Sequence, residues 1–117
     1  MNGTVSKYNA LKHYIWGEGC DGWNLVDEAN FSVKLERMPA GTAEERHYHT
    51  IAQQFFYILK GVATFEVDGA TFAAKEAEGL LIKAGQKHRI LNHGAEDLEF
   101  ILFSYPSTLN DRIQDHE

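Results

Sequence analysis

His47 and His49 stand two residues apart in GTAEERHYHT, residues 41–50, and this spacing is the first pointer to chemistry. On a helix the two side chains would point to nearly opposite sides. On a strand, positions i and i+2 share a face, and both imidazoles would enter the same space. Gln54 follows His49 by five residues, and His88 follows the turn-like run Lys83-Ala84-Gly85-Gln86-Lys87. Three imidazoles and an amide oxygen from neighbouring strands can surround one divalent cation at the ~2.0–2.2 Å usual for nitrogen and oxygen ligands. One histidine alone reads as an ordinary surface or core residue. The joint pattern carries the metal reading, provided these segments are strands.

From Phe31 onward, short β-type runs alternate with turn signals. FSVKLERM (31–38) alternates and stops at a proline–glycine break. GVATFEVDGATFAAKE (61–76) reads as two strands folded about Asp68-Gly69, a strong hairpin signal. GLLIKAG (79–85) reads as a short buried run, HRILNHG (88–94) alternates, and LEFILFSYP (98–106) is aromatic and β-branched as far as Pro106. The segment IAQQFFYILK (51–60) also suits a helical period. Its Phe55-Phe56-Tyr57-Ile58 cluster and its strand neighbours favour a strand, apolar on both faces and therefore covered on both, by a second sheet or a partner subunit. The pattern predicts an all-β sandwich or barrel over residues 31–105. The glycine- and aromatic-rich residues 1–30 are expected to wrap one end of it, with Trp16 and Trp23 as packing anchors. The polar tail, residues 106–117, is expected to lie in solvent, the alternative being that Asp111-Arg112 folds back over the barrel mouth.

A chain of 117 residues is large enough for one core, and its 44% apolar and 24% charged residues are those of an ordinary globular domain. Seventeen acidic against eleven basic residues give a net charge of −6, which argues against a nucleic-acid surface but leaves small anions open. No apolar run approaches the ~18 residues needed to span a bilayer, and the N-terminus has no hydrophobic signal core. Membrane partners are therefore not expected. The lone Cys20 fits a reducing, cytoplasmic setting and reads as a packed thiol rather than a nucleophile.

The spacing Gly41-x5-His47-x-His49-x4-Gln54-x6-Gly61 resembles the first motif of the cupin superfamily, in which two histidines and a glutamate bind metal inside a small β-barrel. AEGLLIKAGQKHRILN (77–92), with Gly85, His88 and Asn92, resembles the second motif. The likeness is to small single-domain cupins, including those described as mannose-6-phosphate isomerase-like. It implies a double-stranded β-helix, or jelly roll, and metal-ligand roles for His47, His49 and His88. Three departures stand out: Gln54 replaces the glutamate, Ala77 a glycine and Lys83 a proline. With Gln54 as fourth ligand all protein donors are neutral, so an ion of zinc, nickel, iron or manganese keeps its full charge. That favours Lewis-acid behaviour and disfavours higher oxidation states. Similar donor sets occur in cupins of uronate ketonisation and polyketide cyclisation. Gln54 has an alternative role, hydrogen bonding a neighbour while three histidines and waters hold the metal.

Other residues can be placed only in pairs of alternatives. Phe56 shares a face with Gln54, as a pocket wall or as core. Glu36 faces inward as a general base if one strand register holds; in the other register Arg37 is inside and binds a substrate carboxylate or phosphate. Asn92 is a substrate contact or a strand-end turn residue. Arg46 and Arg89 should face away from the histidines beside them. His13, His93 and His116 carry no motif. The leading functional expectation is a metal-dependent isomerase or tautomerase acting on a small sugar or sugar-acid derivative. An iron-dependent dioxygenase and a non-catalytic metabolite sensor are the competing readings. An exposed sheet face at residues 55–59 predicts a homodimer.

Overall fold

The computed structural model describes residues 3–115, and all of their regular structure is β. The strands are β1 (Lys12–Trp16), β2 (Cys20–Asp27), β3 (Ser32–Met38), β4 (His47–Tyr48), β5 (Gln53–Lys60), β6 (Ala63–Val67), β7 (Ala70–Ala74), β8 (Gly79–Ile82), β9 (His88–Leu91), β10 (Leu98–Tyr105) and β11 (Ile113–Gln114). They form two antiparallel sheets, ordered β1-β2-β3-β10-β5-β8 and β11-β4-β9-β6-β7. Among the described residues no helix is long and apolar enough to cross a membrane.

Residues 53–60 are a strand, and its two faces differ. Gln54, Phe56 and Ile58 point into the barrel, while Phe55, Tyr57 and Leu59 are half-exposed on the outer face. Inside, Phe56 packs edge-on against Phe65 of the opposite sheet at 5.1 Å and against Phe100 at 5.5 Å. Ile58, Ile90, Leu98 and Met38 complete a dry core at that end. Asp68 and Gly69 both take positive φ, 48° and 85°, the conformation of a tight hairpin turn between β6 and β7.

Three expectations need correction. Residues 1–30 do not simply wrap an end: β1 and β2 form a hairpin that pairs with β3 and extends the six-stranded sheet. Trp16 does pack against the core, and Trp23 stacks on His13 at 5.1 Å. The run at 79–82 is not buried throughout, because β8 is an edge strand with Leu81 turned outward. The tail does not lie free: β11 pairs with β4, and Asp111 is buried.

Ala77, which stands where the resembled motif has glycine, adopts φ +65° while its N–H donates to the Ile58 carbonyl at 2.9 Å. A side chain there is strained by its Cβ against the backbone. Ala77→Gly should therefore stabilise the fold by about 1 kcal/mol, read as a higher midpoint in urea with an unchanged slope.

Candidate metal centre

His47 and His88 sit directly opposite one another where β4 pairs with β9. His49 lies two residues along, on the same face. Ring centroids are 4.3 Å apart for His47–His88, 5.0 Å for His47–His49 and 5.7 Å for His49–His88. One nitrogen from each ring falls within 4.8 Å of the other two, and all three residues are buried.

The backbone sets which nitrogen faces inward. Nδ1 of His47 meets the Glu45 carbonyl at 2.9 Å, Nδ1 of His88 the Gln86 carbonyl at 2.8 Å, and Nδ1 of His49 the Asp111 carbonyl at 2.8 Å. A carbonyl only accepts, so each Nδ1 carries the proton and each Nε2 presents a lone pair. Burial is the main cause that lowers all three pKa values, to about 3 for His47 and about 4 for His88. The rings are thus neutral, the form that binds metal.

Gln54 comes from the opposite sheet. Its Nε2 donates to Ser104 Oγ at 3.2 Å on the neighbouring β10. Its Oε1 is left buried with no partner, as are the Nε2 atoms of His49 and His88. Gln54 exerts a minor upward pull on the His49 pKa, yet no hydrogen bond of ordinary geometry joins the two. Both atoms are lone-pair donors and cannot satisfy each other. A cation satisfies them together, so these residues fit a divalent metal ion.

Around this set stand further polar residues, of which the sequence singled out Glu36 and Asp111 but not Glu44 or Tyr14. The Glu44 carboxylate, 11% exposed, places Oε1 3.8 Å from His47 Nδ1 and accepts from the Ile90 N–H at 3.3 Å. Burial, then Glu36, push its pKa up to about 7 against the pull of Arg112. Asp111 accepts hydrogen bonds from the N–H groups of Thr50, Ile51 and Ala52 and from the Thr50 hydroxyl. Burial opposes its charge, but these four bonds outweigh it and hold the carboxyl at about 2. Glu36 faces inward, buried, and accepts from the Tyr14 hydroxyl at 2.5 Å. Burial raises the Glu36 pKa, and burial followed by Glu36 raises that of Tyr14. Tyr14 reaches Glu36 only because the strand between them carries Gly22, where a Cβ would lie 2.0 Å from the phenol ring. Reading 12–16 as a strand would have put Tyr14 on this face; Glu44 gave no signal of its own.

Two expected substrate contacts are engaged elsewhere. With Glu36 inside, Arg37 is on the outer face, paired with Asp97 at 3.1 Å and Asp21 at 3.6 Å. Asn92 is buried in the β9–β10 turn, donating to the Met38 and Glu96 carbonyls and accepting from the Gly94 N–H. Phe56 is inward, in the aromatic core two residues below Gln54. Arg89 and Arg46 pair with Glu66 and Asp115. Cys20 is buried in the core, and His116 lies outside the described residues.

Two antiparallel sheets closed on a cluster of buried histidines define the class of double-stranded β-helix barrels with an internal candidate metal site. Residues 34–104 match the cupin domain family (Cupin_2), and the chain belongs to that family. It is 31% identical over 72 residues to polyketide synthase CurC of Streptomyces cyaneus, covering 62% of this chain and 47% of that protein. The chain thus spans about half the length of the curated relatives it matches. Among solved structures, the polyketide cyclase RemF of Streptomyces resistomycificus superposes with a TM-score of 0.83 at 16% identity, covering 100% of this chain and 87% of that one. A cupin-superfamily sugar phosphate isomerase of Silicibacter pomeroyi gives 0.71 at 20% identity, over 89% and 67%. At these identities the solved structures speak for the fold.

Elemental analysis of protein dialysed against zinc and desalted should find one ion per chain. His88→Ala should lose it, and Gln54→Ala should retain zinc with weaker affinity. Full zinc retention by His88→Ala, with the fold intact by circular dichroism, would contradict the assigned donor set.

Proposed function

We propose that this cupin is a metal-dependent enzyme of isomerase or tautomerase type, moving a proton on the carbon beside a carbonyl of a small sugar or sugar-acid derivative. The observation that carries this reading is one barrel interior holding both a neutral donor set (His47, His49, His88 and Gln54) and a buried carboxylate, Glu36, whose pKa is raised. A zinc, nickel, iron or manganese ion held by the four donors would supply Lewis acidity toward a carbonyl oxygen. Glu36 is the base: burial makes it a better proton acceptor than an exposed carboxylate. Tyr14 anchors Glu36 Oε2, which leaves Oε1 to take the carbon-bound proton and return it. Phe56, Phe65 and Phe100 close the far end and keep bulk water from the reacting face.

The relationship to CurC, and the fold shared with RemF, support a second substrate class. A poly-β-ketone chain enters ring closure through the same removal of a proton next to a carbonyl, so the residue roles are unchanged.

Deuterium exchange followed by proton NMR tests the reaction. Zinc-loaded protein under nitrogen should catalyse solvent exchange at the carbon beside the carbonyl in at least one of a ketose phosphate, a uronic acid or a β-diketone. Glu36→Gln should slow this about 100-fold or more while keeping its zinc. Turnover that requires iron and consumes oxygen would replace this reading with a dioxygenase. Binding without exchange on any carbonyl compound would replace it with a sensor.

The proposed working form is a cytoplasmic homodimer built on the outer face of the six-stranded sheet. Phe55, Phe103 and Leu81 are aligned across β5, β10 and β8, and Leu81 is 49% exposed. Tyr57 and Tyr105 extend this apolar surface, which a second copy would cover by the same face. Sedimentation should give twice the monomer mass, and Phe103→Glu should give the monomer; a monomeric wild-type protein would end the proposal.

A further inference from the structure

The chain has four arginines, at positions 37, 46, 89 and 112. Three are committed to carboxylates away from the histidine cluster. Arg37 pairs with Asp97 and Asp21, Arg46 with Asp115 at 2.8 Å, and Arg89 with both oxygens of Glu66 at 2.7 and 3.3 Å. Arg112 differs. Its Nη1 makes a single long contact of 3.4 Å with Glu44 Oε2, and the other oxygen of that carboxylate lies beside His47. Its charge also contributes to the lowered pKa values of His47, His49 and His88, and it pulls down those of Glu36 and Glu44. One guanidinium therefore stands within electrostatic reach of the three histidines, Glu36 and Glu44.

The backbone that carries Arg112 is fixed on both sides. Before it, Asp111 is locked onto residues 50–52 by its carboxylate and onto His49 by its carbonyl. After it, Ile113 pairs with Tyr48, and the Asp115 N–H donates to the Arg46 carbonyl at 2.9 Å. The side chain is 43% exposed and is held by that one contact with Glu44. A guanidinium presents a planar fork of donors that matches the oxygens of a carboxylate or a phosphate. Lys34, another cation turned inward, lies over the Tyr14 ring at 5.8 Å. In a chain of net charge −6, Arg112 is the partly exposed cation beside Glu44 and His47 that would select an anion.

We propose that Arg112, held at the barrel mouth by the strap of residues 111–114, binds an anionic oxygen group of the substrate, a carboxylate or a phosphate monoester. This rests on the metal-dependent carbonyl chemistry proposed above and names the substrate feature that chemistry leaves open. Binding Arg112 at one end would hold the carbonyl at the other end toward the donor set and Glu36. The anion also replaces Glu44 as the guanidinium's partner, so the ion pair at 3.4 Å is the one that exchanges on binding.

Calorimetric titration of the zinc-loaded protein with three small probes tests the assignment. The probes are 2-oxobutyrate, dihydroxyacetone phosphate and uncharged dihydroxyacetone. At least one of the two anions should bind more tightly than the neutral probe, and which one identifies the carboxylate or the phosphate as the recognised group. Arg112→Gln should weaken that binding about tenfold or more, and Arg112→Lys should recover part of it. Both variants should keep the zinc content and melting temperature of the parent. Arg89→Gln, which removes a charge from the outer face, should bind the anion as the parent does. Equal binding of all three probes by the parent, no anion binding at all, or undiminished anion binding by Arg112→Gln would each overturn the proposal. Arg112-dependent anion binding without deuterium exchange would remove the catalytic reading and leave the anion site standing. Exchange without any effect of Arg112 would do the reverse.

Discussion

The Nε2 atoms of His49 and His88 and the Oε1 of Gln54 are acceptors shut away from water with no donor to meet them. Such groups cost about 1–3 kcal/mol each when nothing compensates them, and a barrel of this size could have avoided the cost with three apolar side chains. The fold instead enforces the arrangement from outside the cluster. Each ring is held by a main-chain carbonyl at its Nδ1, so the lone pairs have to face one another. Ser104 does the same to Gln54 by taking its amide N–H. Departures from the ordinary rule that buried polar groups are satisfied are found disproportionately at functional sites, and three of them meet here.

That constraint divides the barrel interior in two. One end is dry, filled by Phe56, Phe65, Phe100, Ile58 and Leu98. The other carries the histidines, Gln54, Glu44 and the Glu36–Tyr14 pair, all buried or nearly so. Burial moves Glu36 and Glu44 upward and the three imidazoles downward, because each avoids its charged form. The C-terminal strap belongs to this half. Asp111 fixes a ligand-type histidine through its carbonyl and the loop beside it through its carboxylate, and it carries Arg112 to the rim. A segment of little regular structure is therefore part of the site.

The places where the sequence could be read, and where it could not, follow from the same division. Asp68-Gly69 declared its hairpin because the turn needs positive φ at both residues, a local requirement. The strand at 53–60 was legible from its aromatic cluster, although its pattern allowed a helix. In β3 alternation failed for a physical reason. The inward positions include Lys34 and Glu36, since this strand lines the polar half of the barrel, and no apolar face exists to give the register away. The β1–β2 hairpin was obscured by Gly17, Gly19 and Gly22, which read as loop. Gly22 in fact sits mid-strand, to leave room for Tyr14. Asn92 matched its motif position and proved to hold a turn.

The sequence alone pointed to short strands punctuated by turns and, once those segments are strands, put His47 and His49 on one face and Gln54 and Phe56 on another. These are consequences of a two-residue repeat and of local backbone preference, which act over a few neighbouring positions. The carbonyls that orient His47 and His88 are equally local, each two residues back. Only the tertiary structure decided that Asp111, 62 residues from His49, orients the third ring, that Tyr14 meets Glu36 across Gly22, and that Arg112 comes to rest beside Glu44. Such contacts depend on strand order and register between sheets, and no property of a short window of residues encodes them.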